Sequence, residues 1–150
     1  MPQSHSSLPI HIIFGVKNRA SILPAALLPR LCSYIGGIAR NLDCVLLAGN
    51  GMPDHLHLLV SMHPTRAPAA VVRDVKANSS SWVKEQTGHT FAWQAGYGVF
   101  AVSASLVPKV RVYIQSQQQH HRRVSYRQEY ERFLERHGIE CDRRDLPEEV

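Results

Sequence analysis

A chain of 150 residues, 44% of them hydrophobic, is sized for one globular domain with a buried core. No apolar run approaches the ~18 residues a membrane helix needs. The opening MPQSHSSLPI lacks the basic-then-apolar pattern of a secretory leader. Three cysteines, Cys32, Cys44 and Cys141, without a CxxC spacing argue against a disulfide framework or a zinc ribbon and fit a reducing cytoplasm.

The net charge of +5 suits a polyanionic partner without proving one. Arg and His crowd the stretch 111–136, whereas 145–149 is acidic. Residues 1–9 read as a flexible lead-in, 10–137 as the domain and 138–150 as a tail.

In chain order, HIIFGV at 11–16 is short and β-branched and predicts a strand. Pro24 and Pro29 open a helix over about 25–41, with Leu27, Leu31, Tyr34, Ile35 and Ile38 at helical spacing. Gly36 and Gly37 inside it would permit close packing on a sheet. CVLLAG at 44–49 predicts a second strand, Asn50-Gly51 a hairpin turn, and DHLHLLVS at 54–61 a third strand. A second helix over 67–86 carries Val71, Val72, Val75 and Trp82 as its buried stripe and closes at Gly88. After a loop with Phe91, Trp93 and Tyr97, a short strand is expected at 99–103. Ser105 then caps a helix that tolerates Pro108 in its first turn and reaches about His121. A shorter helix over 126–136 ends at Gly138. The order βαββαβ, followed by C-terminal helix, is an α+β class pattern: the split βαβ of a ferredoxin-like sandwich with an antiparallel sheet.

Two constellations carry chemistry. In the third strand, alternation puts His55, His57 and Leu59 on one face and Leu56, Leu58 and Val60 on the other. Two imidazoles on a face not covered by the first two helices can converge on one divalent ion. The same spacing also fits two solvated strand histidines, and HxH triplets arise readily by chance. In VYIQSQQQHH, the residues Tyr113, Gln117 and either His120 or His121 share one helical face. That face is polar, and Val110, Val112 and Ile114 are left to pack. A helix lying on a sheet normally presents an apolar stripe, so a polar one with a tyrosine marks either a site or a solvated face. His11 reads as an ordinary strand histidine, and Asp54 as either a turn residue or an acceptor orienting His55. Lys17, Arg19, Arg73, Lys76, Arg122 and Arg123 are the candidate phosphate contacts.

Five segments, taken together, resemble the single-tyrosine His-hydrophobic-His transposases of insertion sequences, the TnpA type. They are HIIFGVKNR, NGMPDHLHLLVSMHP, VKANSSSWVKE, FAWQAGYGVFAVS and YIQSQQQHHRRVSYRQEYERFL, in the family's order across most of residues 10–137. The resemblance implies that Tyr113 is the nucleophile on a C-terminal helix, and that His55, His57 and Gln117 hold Mg²⁺ or Mn²⁺. It implies cleavage and rejoining of single-stranded DNA at hairpin-bearing element ends through a 5′-phosphotyrosine, with no nucleotide cofactor. It also implies a homodimer, with the tyrosine helix of one subunit completing the metal site of the other, and a cytoplasmic protein without a membrane partner. Departures at Gly15-Val16 and Ala101 touch none of the matched catalytic positions. The alternative is a domesticated relative that only binds hairpin DNA. A ferredoxin-like RNA-binding module is disfavoured, because such modules stack bases on sheet aromatics where this face carries histidines.

Overall fold

The computed structural model describes residues 3–20 and 22–147. Its sheet has four antiparallel strands: β1 (Pro9–Gly15), β2 (Val45–Met52), β3 (His55–Ser61) and β4 (Gly98–Ala101), in the order β2-β3-β1-β4. With α1 (Leu28–Asn41) between β1 and β2, and α2 (Pro68–Thr87) between β3 and β4, this is the ferredoxin-like α+β sandwich. Three helices follow: α3 (Val107–Gln115), α4 (Gln117–His120) and α5 (Tyr126–Arg136).

Strand alternation sorts the core into two layers. Ile10, Ile12 and Phe14 of β1 and Leu56, Leu58 and Val60 of β3 meet α1 and α2 in the larger apolar cluster. α1 buries Leu31 and Ile35 there, and α2 buries Val71, Val72, Val75 and Val83. The opposite face carries Ile13 and Phe100, which pack with Tyr126, Tyr130 and Leu134 of α5. α3 and α4 lie against β2 on the same side as the histidines of β3.

Several local expectations shift. Asn50-Gly51 is not the turn: both residues continue β2, paired with His57 and Leu56, and Pro53-Asp54 make the two-residue connection. A turn of the Asn-Gly kind needs positive φ at both positions, and Gly51 is not among the glycines that adopt it. Close packing of α1 on the sheet does not use Gly36 or Gly37. It uses Gly49 of β2, where a Cβ would stand 2.9 Å from Cys32 Sγ. Trp82 is only partly buried and stacks on Tyr34, with ring centroids 5.3 Å apart; Val83 takes its place in the stripe.

The long helix expected from Ser105 to His121 is broken. Residues Ala104–Leu106 form a 3₁₀ turn entered from Ser103, and the α-helical run stops at Gln115. At the break Ser116 Oγ donates back to Val112 O at 2.9 Å, a local bond that competes with the helix ladder. Asn50 Nδ2 donates to the freed carbonyls of Ile114 and Gln115 at 3.1 and 3.3 Å. Of the apolar residues expected to pack, Ile114 is buried and Val112 is 64% exposed.

Candidate active site

β3 delivers His55 and His57 to the face opposite the larger core, and both rings are buried. Their ring centroids are 5.1 Å apart. His57 Nδ1 lies 2.9 Å from Nε2 of His11, which projects from the neighbouring β1 onto the same face. His55 Nδ1 donates to Asp54 Oδ1 at 2.7 Å. Asp54 therefore fills both of its expected roles, since it also forms the turn.

α5 closes the site from above. Ser125 caps it through a reciprocal box: its Oγ accepts from Gln128 N, and Gln128 Oε1 accepts from Ser125 N. Tyr126 then stacks on His55, with centroids 4.2 Å apart and the rings nearly parallel. One turn on, Glu129 enters the histidine cluster fully buried. Its Oε1 accepts from His57 Nε2 at 2.8 Å and lies 3.2 Å from His121 Nε2. Its Oε2 accepts from the Tyr113 hydroxyl and, at 3.3 Å, from Gln117 Nε2.

Glu129 went unnoticed in the sequence, although a signal was there. It sits three residues after Tyr126 on the stripe Tyr126, Tyr130, Leu134 that α5 buries, and a carboxylate on such a stripe needs a buried partner. His11, read as an ordinary strand residue, belongs to the site because it is the register neighbour of the His57 strand, which only pairing reveals.

The expected nucleophile and ligands do meet. The Tyr113 ring lies 6.0 Å from the His57 ring, and its hydroxyl is also 3.1 Å from His120 Nε2. Both His120 and His121, left open as alternatives, reach Glu129. Tyr113 stands beside His57 of its own chain. Asn50 and Gln118, which exchange hydrogen bonds at 3.2 Å, tie the α3–α4 break to β2 and hold it there.

Electrostatics follows from burial. Burial, with the positive field of the neighbouring His55 and His121, pulls the His57 pKa down to about 4 against the bonds to Glu129. Burial also lowers His11. It opposes charge on His55 too, but there the hydrogen bonds and negative charge of Asp54 and Glu129 prevail and raise the pKa. Burial would raise Glu129, yet its histidine partners hold it ionised, well below the usual carboxylate range. Burial first, then the Glu129 charge, keeps Tyr113 a phenol with its pKa above the ordinary value.

The donor set suits a divalent metal. Ligand atoms of His55, His57, His121 and Glu129 lie within 4.8 Å of one another. Among the described residues, Gln117 Oε1 is the buried side-chain polar atom without a hydrogen-bond partner, an acceptor that a cation would satisfy.

The expected phosphate contacts separate. Arg122 and Arg123 are exposed and, with Tyr113, His120 and Arg132, line an open cleft of about 560 Å³ beside the tyrosine. Arg73 and Lys76 lie on α2 in another cleft, lined by Trp93, Gln94 and Tyr97. Lys76 is engaged there, donating to Gln94 O and Gly96 O at 2.7 Å each, and burial brings its pKa down to about 8. Lys17 is exposed, and the Arg19 side chain falls outside the described residues.

The sequence model of the family described as "Transposase IS200 like" matches residues 4–117. The chain is 28% identical over 117 residues to ISDra2 transposase TnpA of Deinococcus radiodurans, spanning 73% of this chain and 84% of that protein. A crystal structure of a transposase candidate from Deinococcus radiodurans R1 superposes with a TM-score of 0.62 at 24% identity, covering 78% of this chain and 98% of that one. A REP-associated tyrosine transposase, solved bound to a REP hairpin, gives 0.56 at 15% identity, covering 81% and 74%. At these identities the two structures share the fold of the sheet and its helices.

Proposed function

This chain belongs to the IS200-like transposases, and from that premise we propose that it cleaves and rejoins single-stranded DNA, with Tyr113 as nucleophile and His55 and His57 holding a divalent metal. The observation that carries this reading is the meeting of Tyr113 with His57, and through Glu129 with His55, inside one chain, in a pocket that opens onto a basic cleft.

In the proposed reaction the Tyr113 oxygen attacks a backbone phosphorus. The bond from phosphorus to the 3′ oxygen breaks, and the DNA is left with a 5′-phosphotyrosine and a free 3′-hydroxyl. The phenol must give up its proton as the new bond forms, because a neutral hydroxyl is a weak nucleophile. Glu129 Oε2 already accepts a hydrogen bond from that hydroxyl and lies on the path of the proton. The leaving 3′ oxygen takes a proton from water. The reverse attack by a 3′-hydroxyl rejoins strands without ATP, because the phosphodiester energy is retained in the phosphotyrosine.

When bound, Mg²⁺ or Mn²⁺ withdraws charge from the phosphate and stabilises the leaving oxygen. Gln117 Oε1 is the further acceptor available to that ion beside His55 and His57. Arg122 and Arg123 steer and position the strand through its phosphates, with Lys17, Arg19, Arg73 and Lys76 as more distant contacts. The DNA is proposed to carry a hairpin beside the cleavage point. A homodimer is proposed, as the family resemblance implies; because Tyr113 lies by His57 of its own chain, each site is proposed to be complete within one chain, against the exchange of tyrosine helices that the resemblance implies.

The test is a labelled single-stranded hairpin with its flank, incubated with Mg²⁺ or Mn²⁺. Cleavage with a covalent protein–DNA adduct, absent in Tyr113→Phe, is expected. Hairpin binding by the native protein without any cleavage would replace this reading with that of a DNA-binding relative.

A further inference from the structure

Three imidazoles, not two, aim their Nε2 atoms at one place. His57, His121 and His55 Nε2 stand 2.8, 3.2 and 3.4 Å from the same oxygen, Glu129 Oε1. The Nε2 atoms of His55 and His121 are 3.0 Å from each other.

Each of these rings is anchored at its far side through Nδ1. His55 meets Asp54 Oδ1 at 2.7 Å, His57 meets His11 Nε2 at 2.9 Å, and His121 meets Val124 O at 2.6 Å. A carboxylate and a carbonyl can only accept, so His55 and His121 carry a proton on Nδ1. Both then direct Nε2, at hydrogen-bond distance from one another, toward the Glu129 carboxylate. Histidines that bind metals are oriented in this way, with the second ring nitrogen donating to a carboxylate or a backbone carbonyl.

We infer that His121 and Glu129 are metal ligands alongside His55 and His57, so that three imidazoles and one carboxylate hold the ion. The inference rests on the metal reading proposed above and extends it. Both added ligands lie beyond residue 117, where the family match ends, so the loop after α4 and the capped helix α5 complete the site from outside the matched segment. The polypeptide reason is local. The Ser125 capping box fixes the start of α5, Tyr126 seats it on His55, and Glu129 follows one turn later. Through its second oxygen Glu129 also touches Tyr113 and Gln117, so a single side chain joins the ion's ligands to the nucleophile. A set this rich in imidazole favours a transition-metal ion over Mg²⁺.

The experiment titrates Mn²⁺ calorimetrically, and Co²⁺ by its visible absorption, into the full chain without DNA. The variants are His57→Ala, His121→Ala and Glu129→Gln, each checked by circular dichroism. One ion per chain is expected for the wild type. All three variants should bind Mn²⁺ at least about tenfold more weakly, the lower edge of what losing even an outer-shell partner costs, and each should alter the Co²⁺ spectrum. If Glu129→Gln fails to fold, His121→Ala decides alone. Wild-type affinity and spectrum in His121→Ala and Glu129→Gln, with loss only in His57→Ala, would overturn the inference while leaving the two-histidine site standing. No uptake by the wild type would overturn both.

Discussion

The two faces of β3 make an instructive pair. Leu56, Leu58 and Val60 enter the larger core under α1 and α2, while His55 and His57, one residue out of step, enter a polar cluster under α3–α5. Both faces are equally shut off from water. The first is held by packing, which is short-ranged and sums over many contacts. The second is held by a network in which every imidazole and the Glu129 carboxylate must find a partner, because an unpaired polar group there costs more than a typical bond returns. Burial therefore means stability on one face and poised chemistry on the other.

Four outcomes would break or sharpen that contrast, taken from the largest effect down. Tyr113→Phe should lower cleavage by at least about 10³-fold, as loss of a covalent nucleophile does, while binding of the hairpin measured by gel shift stays near the wild-type level. A covalent adduct persisting in this variant would remove the polar face from the chemistry. Mixing Tyr113→Phe with His57→Ala protein should restore no cleavage, because the proposed site draws Tyr113 and His57 from one chain. Recovered activity in the mixture would mean that α3 is exchanged between chains.

On stability, Leu58→Ala should cost about 2–5 kcal/mol in urea unfolding, as for other fully buried leucines. His57→Leu in metal-free protein should cost about 1–3 kcal/mol: His55 and His121 remain as partners for Glu129, but buried His11 Nε2 loses its own. Equal losses would show that the polar network stabilises the fold as much as the apolar core.

Acid should act through the polar face. His57 titrates at about 4 in the native state, against an ordinary value of 6.5. Between these values the unfolded chain binds a proton that the native ring refuses. Metal-free stability therefore falls as pH drops from about 6.5 to 4, by up to roughly 3 kcal/mol from this group. His11 acts in the same direction, and Glu129 adds to it below the ordinary carboxylate range. His55, with its raised pKa, adds stability only as pH falls through that pKa toward 6.5 and a constant amount below, so it leaves the slope in this window unchanged. Thermal melts across this range should show the fall, and His57→Leu should flatten it. An unchanged slope in the variant would assign the acid sensitivity elsewhere.

What the residue order determined by itself is whatever depends on neighbours within a turn or a strand. The alternation in β3 sets which residues share the face with His55 and His57, apolar stripes at helical spacing define α1 and α2, and the polar stripe of Tyr113 and Gln117 narrows that helix to a site or a solvated face. These are consequences of backbone periodicity, which needs no tertiary information. The tertiary structure decided what depends on distant segments. It turned Asn50 from a turn residue into the clamp that breaks the helix at Ser116, because β2 runs on beneath α3. Pairing of β1 with β3 brought His11 to His57, and docking of α5 carried Glu129 into the cluster. Those contacts span 46 and 72 residues of chain, and hydrogen bonds at that separation exist only once the hydrophobic layers have closed around them.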